Sequence, residues 1–446
     1  MRRGVHGQLD ASIVTFALPT LQRVFQASIG AVTWVGLSYL LVLVATVTAV
    51  GRFADMWGRK LLYVYGFVVF TIGSALCGLA PGLGALTGFR VLQAVGAAML
   101  QANSVAIVLA VPGKSRGKAI GIQGAAQAVG LAVGPTAGGL LLAAGGWRLI
   151  FLVNVPFGIL GTAGALALVR RSRHLQERTG FDWTGLGLFF PAVVALLSAF
   201  SFGNTAGWTS PVILFLFLAA LVLGAAFVLR EQACAEPMID LALFSNRRFT
   251  VGITSGMLSY LVLFGVLFLV PFYLDRGLRL GSGRAGLELM AMPLALGIAA
   301  PFAGRAADRF GARPLTAGGM LLAAAGLAVL GSTRPPALGF VLLLGVTGAG
   351  LGCFTPPNNA AIMGSVPRQQ AGVASGVLNM TRGIGTALGL AVTGLLFAVA
   401  GGQSVSPAAV SRAFSAAVLF LAATAAGAGV LAGLGKTPRP GGAAGS

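Results

Sequence analysis

Charged side chains are scarce in this chain. Lys and Arg number 30 and Asp and Glu 10, so 9% of the 446 residues are charged, whereas a soluble globular protein carries about 25%. A surface with so few charges cannot face water over its whole area. The scarcity excludes a soluble globule. With 57% hydrophobic residues and a mean hydropathy of +0.90, it indicates a polytopic membrane protein.

Other absences narrow the function. The three cysteines, Cys77, Cys234 and Cys353, show no metal-ligand or disulfide spacing. No GxxxxGK[ST] loop is present, which argues against ATP-driven transport. No Ser/His/Asp or metal-binding constellation indicates an enzyme, so we expect neither catalysis nor a cofactor. The first ten residues reach Asp10 before any apolar core and do not form a cleavable signal peptide.

Long apolar runs are abundant, as membrane-spanning helices require. They predict fourteen spans, at 7–22, 31–51, 61–80, 84–111, 118–143, 149–169, 184–203, 209–229, 249–274, 286–304, 314–331, 337–364, 371–400 and 411–435. The first carries Gln8, Asp10 and Gln22 and lacks about half of a normal span. A mis-assigned start codon or a short helix would explain this, and we favour the start codon.

The basic residues are distributed unevenly between the two sides. If the N-terminus is inside, 21 of them lie on that side and seven on the other, with Arg90 and Arg382 within spans. The positive-inside rule then puts both termini in the cytoplasm. The net charge of +20 is therefore explained by the orientation of the chain in the membrane. No nucleic-acid partner is expected.

Two segments recur along the chain. Gly51, Asp55 and Gly58 of "GRFADMWGRK" match Gly304, Asp308 and Gly311 of "GRAADRFGAR" at an offset of 253. The segment from Gly121 aligns with that from Gly376 at an offset of 255. Two related pieces at nearly one offset indicate a duplicated helical unit. Chance similarity is a fair alternative for the second, Gly/Ala-rich match alone.

Six motifs resemble the major facilitator superfamily and, within it, the fourteen-helix drug:proton antiporters. They are "LDASIVTFALP" from Leu9, "TWVGLSYLL" from Thr33, "GRFADMWGRK" from Gly51, "RVLQAVGAA" from Arg90, "GLAVGPTAGG" from Gly130 and "GWRLIFLVNVPFG" from Gly146. The resemblance implies an all-α major facilitator fold with two six-helix halves and two inserted central helices. The predicted divisions are an N-terminal half (1–170), the insertion (171–248), a C-terminal half (249–435) and a short cytoplasmic tail (436–446).

The charged loop is the predicted cytoplasmic gate. Its residues are Gly51, Asp55, Gly58, Arg59 and Lys60, with Asp308 as the copy in the second half. The glycines permit a tight turn, and Asp55 can pair with a basic group or cap a helix. The resemblance implies a charge clasp between the halves. The alternative is a surface turn held inside by its positive charge.

Ionisable residues inside spans are functional candidates by default. Asp10 and Arg90 are predicted to couple proton movement, because burial favours the neutral form of a carboxyl group and a nearby cation favours its ionised form. The alternatives are an interfacial Asp10 on a frayed helix end and a structural Arg90 that ties helix ends. Whether the two residues touch cannot be read from the sequence.

Two acids near the outer ends of spans are weaker candidates. Glu288 is a further coupling candidate through the family resemblance. A Glu favoured by the helix dipole at an N-terminus is the alternative that we slightly prefer. Asp275 lies among Arg276, Arg279 and Arg284 and is interpreted as a solvated loop ion pair.

The antiporter motif consists of Gly130, Gly134, Pro135, Gly138 and Gly139. Its small residues allow helices to approach closely, and the resemblance implies a place between the halves. A merely structural helix is the alternative. The cavity-lining candidates are Tyr39, Gln93, Asn103, Gln123, Gln127, Asn154, Asn358 and Asn379. Taken alone, a polar residue of this kind more often forms a hydrogen bond between helices than a contact with a substrate.

The sequence predicts a proton-coupled secondary efflux transporter of drugs or toxic amphipathic compounds, working by alternating access in the bacterial plasma membrane. The expected partners are protons, the lipid bilayer and a small amphipathic or cationic substrate, with the monomer as the functional unit. One alternative is an exporter dedicated to a single metabolite such as an antibiotic, siderophore or amino acid. A non-transporting membrane sensor or scaffold is the alternative from another class.

Overall fold

The apolar runs fold into helices, because backbone groups inside a bilayer must be hydrogen-bonded within their own segment. The computed structural model describes residues 5–109, 134, 137–168, 182–234, 241–333, 335–366, 371–404 and 406–434. All regular structure in these ranges is helical, and eleven helices there are long and apolar enough to cross a membrane. The prediction of an all-α polytopic membrane protein is confirmed.

Each of the fourteen predicted spans contains helical residues. The helices are α1 (Val5–Phe25), α2 (Ile29–Trp57), α3 (Arg59–Gly78), α4 (Leu83–Leu109), α5 (137–145), α6 (Trp147–Leu152), α7 (Asn154–Leu168), α8 (Trp183–Ala206), α9 (Pro211–Ala233), α10 (Arg247–Phe272), α11 (Ser282–Phe310), α12 (Ala312–Thr333), α13 (Ala337–Gly364), α14 (Ala371–Val399) and α15 (Pro407–Gly433). A 3₁₀ turn (Leu241–Ser245) precedes α10, and a π-helical turn (Tyr273–Gly277) follows it. The predicted span 149–169 is broken at Val153, between α6 and α7.

Two glycines set the turns of the repeated charged loop. Gly58 between α2 and α3 has φ of 103°, and Gly311 between α11 and α12 has φ of 83°. Nothing lies within 4 Å of a Cβ placed on either glycine. The backbone conformation rather than a lack of space therefore requires glycine here. We call the side of the molecule that carries these two turns the terminal face, and the other side the opposite face.

The helices pack in two groups. In the first, α4 packs on α2 and α3, and α3 also packs on α7. In the second, α13 packs on α11 and α12, α12 packs on α15, and α10 packs on α14. The hairpin of α8 and α9 lies beside them, and its α8 contacts both α2 and α14. This grouping agrees with two halves and an inserted pair, although the predicted boundaries remain predictions.

Small residues bring the helices of each group together. A Cβ on Gly319 of α12 would lie 2.6 Å from the carbonyl oxygen of Gly350 in α13, and a Cβ on Gly73 of α3 would lie 2.7 Å from the Gln93 backbone in α4. Helices can approach this closely only where at least one of the two facing residues has no side chain or a small one. The 67 glycines are thus used in part to pack helix backbones.

Candidate functional site

The two helix groups meet along α2 and α14. A Cβ on Gly36 of α2 would lie 2.9 Å from Leu390 Cδ2, and a Cβ on Gly383 of α14 would overlap Val44 Cγ2. Each helix thus offers a glycine that receives an aliphatic side chain of the other. Because the two helices run antiparallel, the contact extends along both. This interface positions the polar residues between the groups.

Arg90 of α4 is buried within the first group, with 1% of its surface exposed. Its Nε donates to the carbonyl oxygen of Val35 at 3.0 Å, and its Nη1 donates to Gln93 Oε1 at 2.6 Å. The guanidinium carbon lies 4.1 Å from the centre of the Tyr39 ring. A planar guanidinium can make hydrogen bonds at its edge and stack on a ring at the same time, so these contacts fix its orientation.

The hydrogen bonds continue from Arg90 through Gln93 of the same helix to two further helices, α3 and α7. Gln93 Nε2 donates to Ser74 Oγ at 2.7 Å, and Asn154 Nδ2 donates to the same oxygen at 3.1 Å. Gln93, Ser74 and Asn154 are each at most 2% exposed, and Tyr39 is 1% exposed. Three predicted cavity-lining residues therefore lie within the packing of α2, α3, α4 and α7. This matches the helix–helix alternative that the sequence left open.

Asp10 lies in α1, and its side chain falls outside the described part of the structure. It lies about 22 Å along the helix axis from the Phe25 end of α1, whereas Arg90 lies about 10 Å from the Leu83 end of α4. Both of those ends belong to the opposite face. The two residues thus differ in their distance from that face, and their joint role in proton coupling stays a prediction.

Glu288 of α11 is buried, with 8% of its surface exposed. Its Oε1 accepts a hydrogen bond from Arg284 Nε at 3.3 Å, while its Oε2 is buried and has no hydrogen-bond partner among the described residues. Since α11 begins at Ser282, Glu288 lies in the second helical turn. The effect of the helix dipole falls off within the first turn. The position of Glu288 therefore does not favour the alternative that it serves only the helix N-terminus.

Polar residues also converge in the second group. Asn358 of α13 donates to the carbonyl oxygen of Gly252 in α10 at 3.0 Å and is buried. Arg382 of α14 donates to Asn359 Oδ1 and lies 5.3 Å from the centre of the Tyr260 ring. Sequence reasoning noted Arg382 within a span but gave it no role. The signal was its charge in an apolar helix.

An ionic network at the opposite face joins α1, which packs on α2 and α6 as well as on α10, to the second helix group. Asp275 accepts from Arg23 of α1 at 3.0 Å, and Arg276 donates to Gln22 at 2.7 Å and to the carbonyl oxygen of Gly402 at 3.3 Å. Asp275 lies in the π-helical turn, and its side chain is 18% exposed. The interpretation as a solvated loop ion pair is wrong, because the partner lies on α1, far away in the sequence.

The gate residues lie at the terminal face. Lys60 donates from Nζ to the carbonyl oxygen of Leu166 at 2.7 Å and so ties the start of α3 to the end of α7. Arg59 is the first residue of α3. Gly51 and Asp55 belong to the last turns of α2, and Asp308 belongs to the last turn of α11. Their side-chain environments lie outside the described part of the structure, so the charge clasp stays a prediction.

The antiporter motif is only partly described. Gly130 and Pro135 lie outside the described residues, while Gly134, Gly138 and Gly139 are buried. A Cβ on Gly138 would lie 3.4 Å from Phe16 and 3.5 Å from Ile13, so the motif packs against α1.

The repeated copy in the second group packs in an equivalent way. A Cβ on Gly385 of α14 would overlap the carbonyl oxygen of Met257, and one on Gly389 would lie 2.6 Å from that of Leu261. Both carbonyls belong to α10, which the duplication makes the counterpart of α1.

The other cavity-lining candidates are not brought together by the described residues. Asn379 of α14 is half-buried. Gln123 and Gln127 lie outside the described residues, as does the side chain of Asn103.

Comparison with known proteins decides the family. Residues 7–229 and 252–445 match the profile of the Major Facilitator Superfamily. The chain belongs to this superfamily. It is 36% identical over 395 residues to the riboflavin transporter RibZ of Clostridioides difficile, covering 87% of this chain and 85% of RibZ. It is 36% identical over 394 residues to the multidrug resistance protein Stp of Mycobacterium tuberculosis, covering 87% of this chain and 73% of Stp.

A solved structure supports the same fold. The crystal structure of a bacterial homolog of the human lysosomal transporter Spinster, in an inward-facing and unoccupied conformation, aligns with a TM-score of 0.70. The alignment covers 96% of this chain and 93% of that one, with 17% sequence identity. This superfamily member is therefore a membrane transporter of small molecules, and efflux is the function that its relatives support.

Proposed function

We propose that this superfamily member exports amphipathic compounds, including drugs, from a bacterial cell in exchange for protons, by alternating access. The observation that carries the mechanism is the polar network of Arg23, Asp275, Gln22 and Arg276 at the opposite face. Exposed and half-exposed ionic contacts contribute little net stability each. They can therefore hold the two groups together in one state and separate in another.

The terminal face is the cytoplasmic face in this proposal. The uneven distribution of basic residues supports that orientation. The turns at Gly58 and Gly311 then form the inner gate, with Asp55 and Asp308 as the acids of the clasp. Contact at the outer network and opening at the inner turns give access from the cytoplasm, and the reverse arrangement gives access from outside.

Protons act on the ionisable residues within the spans. Asp10 takes up and releases the proton, and Arg90 holds a fixed positive charge that favours the ionised form of nearby acids. The contacts of Arg90 to Val35, Gln93 and Tyr39 keep that charge in place. Glu288, whose buried Oε2 meets no hydrogen-bond partner in the described part of the chain, is the second proton-accepting group.

Transport into everted membrane vesicles tests the proposal, with ethidium as the probe. We expect accumulation that requires a proton gradient and that is abolished by Asp10→Asn. The matched control is Asp182→Asn, which makes the same chemical change at the N-cap of α8 and should leave transport intact. Accumulation that ignores the gradient would rule out proton coupling.

A second candidate is an exporter dedicated to one metabolite. The similarity to a protein named for riboflavin transport favours it. Vesicles that accumulate riboflavin but neither ethidium nor other amphipathic dyes would replace the first proposal with this one.

A further inference from the structure

Arg382 is an arginine inside a membrane-spanning helix. It lies about 16 Å along the axis of α14 from its Ala371 end and about 26 Å from its Val399 end, so it is far from both surfaces. A cation at this depth is energetically costly, so it is a candidate for a functional role. The mechanism proposed above gives Arg382 no role.

The neighbours of Arg382 are polar and aromatic but not acidic. Its Nη2 donates to Asn359 Oδ1, and its guanidinium lies over the Tyr260 ring. Tyr260 stacks in turn on Phe264, with ring centres 6.3 Å apart. Among the described residues, no carboxylate lies within ion-pair distance of Arg382. A guanidinium has five N–H donors, and within the described ranges only Asn359 accepts from that of Arg382.

The direction of Arg382 follows from the packing of α14. Gly383 and Leu390 face α2, whereas Gly385 and Gly389 face α10. At about 100° per residue, the position of Arg382 lies between these two faces. The side chain therefore points toward the space between the two helix groups and not toward lipid. Arg382, Asn359 and Tyr260 are each partly exposed there.

The two halves of the chain differ in charge at this position. In the aligned segment from Gly121, the residue that corresponds to Arg382 is Gln127, while the glycines of the motif are retained. The positive charge is therefore a feature of the second copy of this segment.

We propose that Arg382, Asn359 and Tyr260 form a subsite for the carboxylate of an amphipathic solute. Arg382 supplies a planar pair of N–H donors that matches a carboxylate, and Asn359 holds it in orientation. Tyr260 and Phe264 offer a surface for an aromatic ring of the same solute. The inference rests on the proposed transport function in one respect, that the bound solute is the one moved.

A rhodamine carboxylic acid and its methyl ester test the subsite, because they differ only in the carboxylate. Binding is measured by fluorescence anisotropy with the full-length protein in nanodiscs. We expect the protein to bind the acid about tenfold to a hundredfold more tightly than the ester, as for a hydrogen bond to a charged group. Arg382→Gln should abolish the preference, and Arg412→Gln, at an exposed position of α15, should retain it.

Asn359→Asp is a second variant that leaves Arg382 in place. It supplies the missing counter-ion with almost no change of shape, and it should also abolish the preference for the acid. Equal binding of acid and ester by the unaltered protein would overturn the proposal. So would a loss of affinity in Arg382→Gln that is the same for both dyes, because a structural role predicts that result.

Transport of the two dyes separates the subsite from the proposed function. Proteoliposomes that carry the acid across the membrane support both. If the protein shows the binding preference but moves neither dye, the transport proposal fails for this solute class while the subsite stands.

Discussion

The contact between α2 and α14 makes a sharp prediction about alternating access. Gly383→Ala adds one methyl group where a Cβ would overlap Val44 Cγ2, while Val44 Cβ and Cγ1 would remain at 3.4 Å and 3.7 Å. The overlap thus concerns one methyl group of Val44, which is 5% exposed. Val44 belongs to the other helix group, so the strain acts between the groups and not within either.

The size of the effect follows from how the strain can be relieved. Valine in a helix strongly prefers one rotamer, and leaving a rotamer minimum costs about 0.5–1.5 kcal/mol. Overpacking at a tight contact costs about 1–3 kcal/mol in total. A change of that size should shift the equilibrium by about 5- to 150-fold toward a state in which α2 and α14 are separated. Val44→Ala in the same chain should reverse the shift.

Spin labels report this equilibrium directly. In a cysteine-free background, labels at Val24 and Gln403, both exposed at the opposite face, should show longer distances in Gly383→Ala. Gly427→Ala is the control, because Gly427 lies in α15 with nothing within 4 Å of a Cβ. An unchanged distance distribution in Gly383→Ala would refute the reasoning, as would a shift that Val44→Ala does not reverse.

Three other outcomes are expected. Gly385→Ala should lower the free energy of unfolding by about 1–3 kcal/mol, because the added Cβ would overlap a backbone oxygen. Chemical denaturation measures this, with Gly427→Ala as a control that should be neutral or stabilising. Equal effects of the two substitutions would contradict the prediction. Arg23→Asp should weaken closure at the opposite face, and adding Asp275→Arg should restore it. The coupling energy between the two positions should be about 0.2–1 kcal/mol and should decline at high salt. A coupling energy of zero, in a double-mutant cycle measured through the label distances, would contradict this. Arg90→Lys should destabilise the chain by about 1.5–3 kcal/mol, since an ammonium group cannot keep both hydrogen bonds and the stacking; unaltered thermal unfolding would show that these contacts contribute nothing.

Much of the fold was predictable because the bilayer allows few solutions. Apolar runs of sufficient length must become helices, and the fourteen predicted spans all contain helical residues. Gly51 and Gly58 were expected to permit a tight turn. Gly58 and its repeat copy Gly311 do adopt a positive φ, whereas Gly51 lies within α2 and makes no turn. The break at Val153 has a signal in the sequence that the prediction did not use: Pro156 has no N–H to bond the carbonyl oxygen of Leu152, and polar Asn154 follows directly.

The sequence singled out the buried polar residues Arg90, Gln93 and Asn154 but not their partners. Arg90 and Gln93 lie about one helical turn apart, so the sequence places them side by side. It does not show that Gln93 also donates to Ser74, which accepts a second hydrogen bond from Asn154. Polar residues in apolar helices can be recognised from the sequence because their neighbours are apolar. Their partners are fixed by how helices rotate and cross, and sequence spacing holds no information on that.

The sequence by itself determined that this chain spans a membrane, that it contains a duplicated unit and that it resembles a family of transporters. These properties follow from local composition and from residues at fixed offsets. Only the tertiary structure decided that Asp275 pairs with Arg23 and that Arg382 faces the space between the helix groups. Both depend on contacts between residues far apart in the chain, which exist only once the helices have packed.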